Sequence, residues 1–68
     1  MEKTFYDGLE KELSELNEKL TKLKEFLLSY KVIELPQIQQ SLLTIQLSAM
    51  ESYAKCLTER LKYIIKPN

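Results

Sequence analysis

The chain has 68 residues, and its ten basic and ten acidic side chains cancel to a formal net charge of zero. One cysteine excludes an intrachain disulfide, and the absence of histidine argues against a structural zinc site. The neutral charge argues against a general DNA or RNA binder and a basic membrane-surface peptide, although a small anion needs only a few well-placed cations. A chain this short buries a limited core, so we expect one domain over residues 1–68 that self-associates.

The cellular compartment follows from two features of the sequence. The N-terminal residues lack the apolar core of a signal peptide, and no run of about 20 apolar residues is present to span a bilayer. We therefore expect a cytoplasmic protein without a membrane partner, in which Cys56 is a reduced and buried thiol.

The first predicted helix covers about residues 7–30. Asp7 and Glu10 have the spacing of a capping box, which places Gly8 in the first helical turn. Residues 1–6 are then expected to form a short N-terminal arm that carries Phe5 and Tyr6. Leucines at alternating steps of four and three indicate one buried helical face; they are Leu9, Leu13, Leu16, Leu20, Leu23 and Leu27.

The second predicted helix covers about residues 36–65 and carries two apolar stripes. Because the link between the helices is short, they are expected to fold back as an antiparallel hairpin, with Pro36 at the first position of the second helix. One stripe, which we call the inner stripe, consists of Leu43, Leu47, Met50, Ala54, Leu57, Leu61 and Ile64. The outer stripe consists of Ile38, Leu42, Ile45, Ala49, Tyr53 and Cys56.

Only one of the two stripes can face the first helix, and the other has no partner within a two-helix monomer. The stretch from Leu35 to Met50 also contains no charged residue, whereas a solvated helix face carries charges. An apolar, uncharged face of this length predicts burial against other copies of the chain, so we expect a compact helical homo-oligomer.

The groups needed for catalysis are scarce. No histidine is available as a general base, and Cys56 lies on an apolar stripe without an activating partner. The serines lack the partners of a catalytic triad, and one glycine does not build a phosphate-binding loop. We expect no enzymatic activity, no cofactor and no bound metal.

Ligand binding is better supported than catalysis. The adjacent Phe5 and Tyr6 are interpreted either as a packing staple or as a surface on which a base stacks. Lys19, Lys22 and Lys24 are interpreted either as solvated surface or as phosphate-binding cations that an oligomer brings near Tyr6 of another chain. A cyclic dinucleotide requires that combination, because it presents two bases for stacking and two phosphates for pairing.

The order of residues along both helices resembles a known family. The resemblance covers about residues 5–62 and is most specific in the second helix. It rests on Tyr6, Leu9, Glu12, Leu16, Lys19-Leu20, Lys22-Leu23, Phe26-Leu27, Leu35, Gln40, Leu42-Leu43, Gln46, Ala49-Met50, Tyr53, Leu57 and Arg60-Leu61. This pattern resembles the small phage proteins that inhibit the CBASS defence system by sequestering its cyclic oligonucleotide messengers.

The resemblance implies helical hairpins that assemble into hexamers. It implies cyclic dinucleotide pockets between protomers, separate pockets for cyclic trinucleotides, and no cleavage of the ligand. It also implies that Tyr6 stacks on a base and that Lys22, or its neighbour Lys19, contacts phosphate. Arg60 matches the trinucleotide pocket, although an ion pair with Glu51 or with an acid of the first helix is an equal alternative. Gly8 stands where the family pattern has an arginine. The loss of that cation is expected to weaken phosphate binding or to alter the choice of ligand.

A second function remains open on the residues alone. The outer stripe would also suit a helical protein–protein interaction module, such as an adaptor or an antitoxin-like regulator, that docks a different protein. The oligomeric state separates this alternative from nucleotide sequestration.

Overall fold

The structure, a computed structural model, describes residues 2–65, with side chains described for residues 5–64. It consists of α1 (Glu2–Leu28), a short 3₁₀ helix (Tyr30–Glu34) and α2 (Gln37–Ile65). No strand occurs among these residues, which confirms the predicted all-α class with two long helices. Over the same residues, neither helix offers a stretch apolar and long enough to cross a membrane.

The two long helices form an antiparallel hairpin. Near the link, Lys24 Nζ of α1 lies 3.3 Å from Glu51 Oε2 of α2. At the opposite end, Phe5 of α1 meets Arg60 of α2. Because an early residue of α1 meets a late residue of α2, the two helices run in opposite directions. We call the end that carries Phe5 and Arg60 the open end of the hairpin.

The N-terminal arm expected over residues 1–6 is not present where the structure describes these residues, because α1 already begins at Glu2. The expected capping box is therefore also wrong, since Asp7 lies inside the helix. Residues 2–7 contain no proline or glycine, and a single helical glycine costs only about 1 kcal/mol relative to alanine. Tyr6 packs against the core, so tertiary contact holds the helix together across Gly8.

Side-chain hydrogen bonds to backbone carbonyls hold both ends of the link between the helices. Ser29 Oγ donates a hydrogen bond to the carbonyl of Phe26 at the end of α1, at 2.8 Å. Gln40 Nε2 donates to the carbonyl of Leu35, at 2.9 Å. The carbonyl of Pro36 accepts the first hydrogen bonds of α2, so α2 starts at Gln37, one residue later than predicted.

The core lies between the leucine face of α1, as predicted, and one stripe of α2, which the structure shows to be the inner stripe. Its central side chain is Leu57, which is 0% exposed. Burying one leucine side chain contributes about 1.5–3 kcal/mol. The described buried residues are all apolar; they are Leu9, Leu16, Leu20, Ala54, Leu57 and Leu61. Tyr6, Leu13, Leu47, Met50 and Ile64 pack around them.

The outer stripe of α2 is exposed along its whole length in the single chain. Ile38 and Ile45 are each 64% exposed, and Tyr53 is 44% exposed. Cys56 is exposed as well, so the expectation of a buried thiol is wrong for one hairpin. The reason is geometric: α1 covers the inner stripe only, and the described hairpin has no third element to cover the other face.

Leu57 provides a test of the core. We expect Leu57→Ala to lower the free energy of unfolding by about 2–5 kcal/mol, because it removes fully buried methyl groups and leaves a cavity. Urea unfolding followed by circular dichroism at fixed protein concentration measures the change. The matched control is Leu28→Ala, since Leu28 is 89% exposed and should change stability by less than about 0.5 kcal/mol. Equal effects of the two variants would contradict the assigned core.

Gly8 provides a test of where α1 begins. A Cβ added at Gly8 meets no atom within 4 Å, so alanine fits without strain. We expect Gly8→Ala to raise the free energy of unfolding by roughly 0.5–1 kcal/mol, because alanine has less backbone entropy to lose in a helix interior. The same urea experiment measures it. A Gly8→Ala protein no more stable than the wild type would argue that residues 2–7 are not helical in solution.

Candidate functional site

Tyr6 is held in place by a hydrogen bond and by the core. Its hydroxyl donates to Glu10 Oε2 at 3.1 Å, one helical turn further along α1, and its ring packs half-buried against the apolar core. The hydrogen bond to Glu10 is the main cause that raises the pKa of Tyr6, with smaller contributions from desolvation and from the charges of Glu10 and Asp7. The phenol therefore stays neutral near pH 7, and its ring does not repel an anion.

Phe5 and Arg60 form a contact between the two helices at the open end. Arg60 Cζ lies 5.9 Å from the centroid of the Phe5 ring, which is within the range of a cation–π interaction. Phe5 remains 54% exposed. Among the described side chains Arg60 forms no ion pair, either with Glu51 or with an acid of α1. Glu51 lies nine residues before Arg60 on the same helix, about 13–14 Å along its axis, and it pairs with Lys24 instead.

Lys19 and Lys22 are exposed on α1, about two-thirds of the way from its start to its end. Among the side chains described, neither lies within 4 Å of a carboxylate, whereas Lys24 is engaged by Glu51. Both ammonium groups are thus free to meet an anion. The structure does not distinguish between Lys19 and Lys22 as the phosphate contact.

One chain does not bring Tyr6 and the lysines together. Lys22 lies 16 positions after Tyr6 on the same helix. At 1.5 Å per residue this separates them by about 24 Å along the helix axis, and at 100° per residue they point about 160° apart. Phe5, Tyr6 and Arg60 share the open end of the hairpin, while the lysines lie on a different side and at a different height.

The open groove beside α1 does not supply the missing pocket. Its charged lining residues are Asp7, Glu10, Glu18 and Lys11, so carboxylates outnumber ammonium groups and the groove repels anions. None of the five predicted site residues lines it. Over the described residues there is also no cluster of His, Cys, Asp or Glu that could hold a metal ion.

Two contacts of the site were not anticipated from the sequence. Glu10 was assigned to a capping box, although its i,i+4 spacing from Tyr6 is also the spacing for a hydrogen bond along a helix. The Phe5–Arg60 contact joins residues 55 positions apart, and no local pattern in the sequence indicates it.

Comparison with known proteins gives one result. A protein-family model described as Sequestin matches residues 3–63, a range that contains both helices almost completely and all five predicted site residues. No curated protein and no solved structure gives a significant match to the chain. The family match confirms the resemblance seen in the residue pattern. The chain therefore belongs to the Sequestin family, the phage anti-CBASS family of cyclic-nucleotide sponges.

Proposed function

We propose that this chain is a phage anti-defence protein that binds cyclic di- and trinucleotide immune messengers in the cytoplasm of the infected host. The observation that carries the proposal is the Sequestin match over residues 3–63. The protein holds the messenger without cleaving it, lowers its free concentration and leaves the host effector inactive. Sequestration of this kind needs tight binding, and a Kd of 1 nM corresponds to about −12 kcal/mol.

The proposed dinucleotide pocket lies between copies of the chain. Tyr6 and Lys22 are about 24 Å apart on nearly opposite faces of α1, so one protomer supplies the stacking ring and another the cation. The exposed outer stripe of α2 supports self-association, because an isolated hairpin would leave it in water. A hexamer, as the family resemblance implies, provides several such contacts between protomers.

Each proposed site residue has a role that its chemistry can perform. The neutral ring of Tyr6 stacks on a base, and Lys22 or Lys19 neutralises a phosphate. A neutral phenol and a protonated ammonium group are weak nucleophiles, which suits binding without cleavage. Arg60, with Phe5 beneath its guanidinium, is assigned to the trinucleotide pocket.

We expect Tyr6→Ala to weaken cyclic dinucleotide binding by about 5- to 150-fold, because stacking contributes about 1–3 kcal/mol per base.

We expect Lys22→Ala to weaken cyclic dinucleotide binding by about tenfold or more, since a charge-assisted hydrogen bond contributes about 1.5–3 kcal/mol. Isothermal titration calorimetry measures both changes, and light scattering checks that the oligomer persists.

Three further variants serve as controls for these measurements. Tyr6→Phe keeps the ring and loses only the hydrogen bond to Glu10, so it should bind close to wild type. Lys11→Ala removes an exposed ammonium group of α1 that is not assigned to the site. Lys19→Ala shows which of the two lysines meets the phosphate. Unchanged affinity in Tyr6→Ala and in both assigned lysine variants would remove the site assignment.

The outer stripe also favours a second candidate, a helical protein–protein interaction module such as an adaptor or antitoxin-like regulator. Native mass spectrometry with a panel of cyclic di- and trinucleotides distinguishes the two functions. For the sponge we expect a stable homo-oligomer, with a hexamer the expected size, and ligands bound in a fixed ratio to subunits. A monomer, or an assembly that forms only with a foreign protein, would support the interaction module instead.

A further inference from the structure

The outer stripe of α2 is spaced symmetrically about Ala49. Arg60 continues the stripe four residues after Cys56. Counted outward from Ala49, successive positions are then separated by four, three and four residues in both directions. A regular heptad pattern alternates between three and four throughout and lacks this symmetry. The positions related in pairs are Ile45 and Tyr53, Leu42 and Cys56, and Ile38 and Arg60.

Symmetric spacing matters because of how identical chains meet. In a two-fold contact, residue i of one copy faces residue j of the other, and j faces i in return. With a two-fold axis at Ala49, every stripe residue would face another stripe position rather than a gap. All seven side chains concerned are exposed in the single hairpin and are therefore available for this contact.

The charges distinguish between two orientations of the second copy. In a parallel pair each residue meets itself, so the Arg60 guanidinium groups would face each other and repel. In an antiparallel pair Arg60 faces Ile38 instead. The stretch from Leu35 to Met50 has no charge, whereas Glu51, Lys55 and Arg60 follow it. An antiparallel pair therefore lays the charged half of one helix beside the uncharged half of the other.

The size of Ala49 supports the same position for the axis. Two packed helices approach to about 8–10 Å, at a distance set by the side chains where they cross. Ala49 is the smallest side chain of the stripe, and it would lie at the crossing point. The larger Ile45 and Tyr53 would then pack on either side of it.

We propose that α2 of one copy packs antiparallel against α2 of a second copy along the outer stripe, with a two-fold axis at Ala49. In this register Leu42 of each copy faces Cys56 of the other. The inference deepens the proposed function. It rests on that function for one premise, that copies of the chain meet, because Tyr6 and Lys22 need more than one chain to form a site. It names the surface through which one pair of copies meets.

Disulfide trapping in the absence of nucleotide tests both the orientation and the register. The oxidant is diamide, which accepts the two hydrogen atoms that two thiols release. We expect Leu42→Cys, with native Cys56 retained, to form a covalent dimer of twice the 8.0 kDa chain mass on a non-reducing gel. We also expect Ala49→Cys in a Cys56→Ser background to form one, because the two Ala49 positions meet at the axis.

Three controls should remain monomeric on the same gel. The first is the wild type, in which the two copies of Cys56 are far apart. The second is Leu42→Cys combined with Cys56→Ser. The third is Thr44→Cys, whose thiol lies off the stripe. A wild-type dimer that forms as fast as the Leu42→Cys dimer would indicate parallel packing and overturn the proposal. Failure of both Leu42→Cys and Ala49→Cys to form dimers would also overturn it.

Ala49→Arg provides an independent measurement. Because Ala49 is exposed in the hairpin, this variant should keep its helical circular dichroism spectrum. The arginine should disrupt the contact between copies, so light scattering should report an assembly with fewer subunits. An assembly of unchanged size would overturn the proposal. Calorimetry on the wild type keeps the two hypotheses apart: nucleotide binding without trapping refutes only the antiparallel pair, and trapping without nucleotide binding refutes only the sponge.

Discussion

The packing of the leucine face of α1 against the inner stripe of α2 determines how every other side chain is presented. Once Leu57 is buried against α1, the rotation of α2 about its own axis is set. The outer stripe then lies roughly a third of a turn away from the core, at 100° per residue. It faces to the side of the contact with α1, and nothing in the described hairpin covers it. The same constraint places Tyr6 beside the core and leaves Lys19 and Lys22 on the surface.

The small size of the core is one physical reason for the proposed self-association. Six side chains are buried among the described residues, and they must compensate the conformational entropy lost by two long helices. The chain has no disulfide to assist, since Cys56 is the only cysteine. In the proposed assembly, further stability comes from covering the exposed outer stripe with a second copy of the chain.

In the proposed dinucleotide site, the division between distant parts of α1 would couple ligand binding to assembly. A ring at the open end and cations further along the helix become neighbours only when protomers meet. A ligand that binds such a shared site stabilises the assembled state by mass action, because it binds the oligomer and not the separate chains. In the proposed sponge, this coupling would keep the site formed while the messenger is present.

Local patterns in the sequence determined much of the fold. The leucine spacing of α1 and the two stripes of α2 follow from helical periodicity, which is a property of neighbouring residues, and both stripes lie where they were predicted. The residue pattern also determined the family. In the candidate site, the residue types of Tyr6, Lys19 and Lys22 indicated base stacking and phosphate pairing.

Only the tertiary structure decided features that depend on contacts between the helices or on competition between local signals. The core contact of Tyr6 continues α1 back to Glu2, where the spacing of Asp7 and Glu10 had indicated a start near residue 7. Arg60 meets Phe5 because the hairpin brings the two ends together, and Lys24 rather than Arg60 takes Glu51. Cys56 is exposed because one partner helix covers only one face. Periodicity determines which residues share a face, but the packing of the whole chain decides what that face meets.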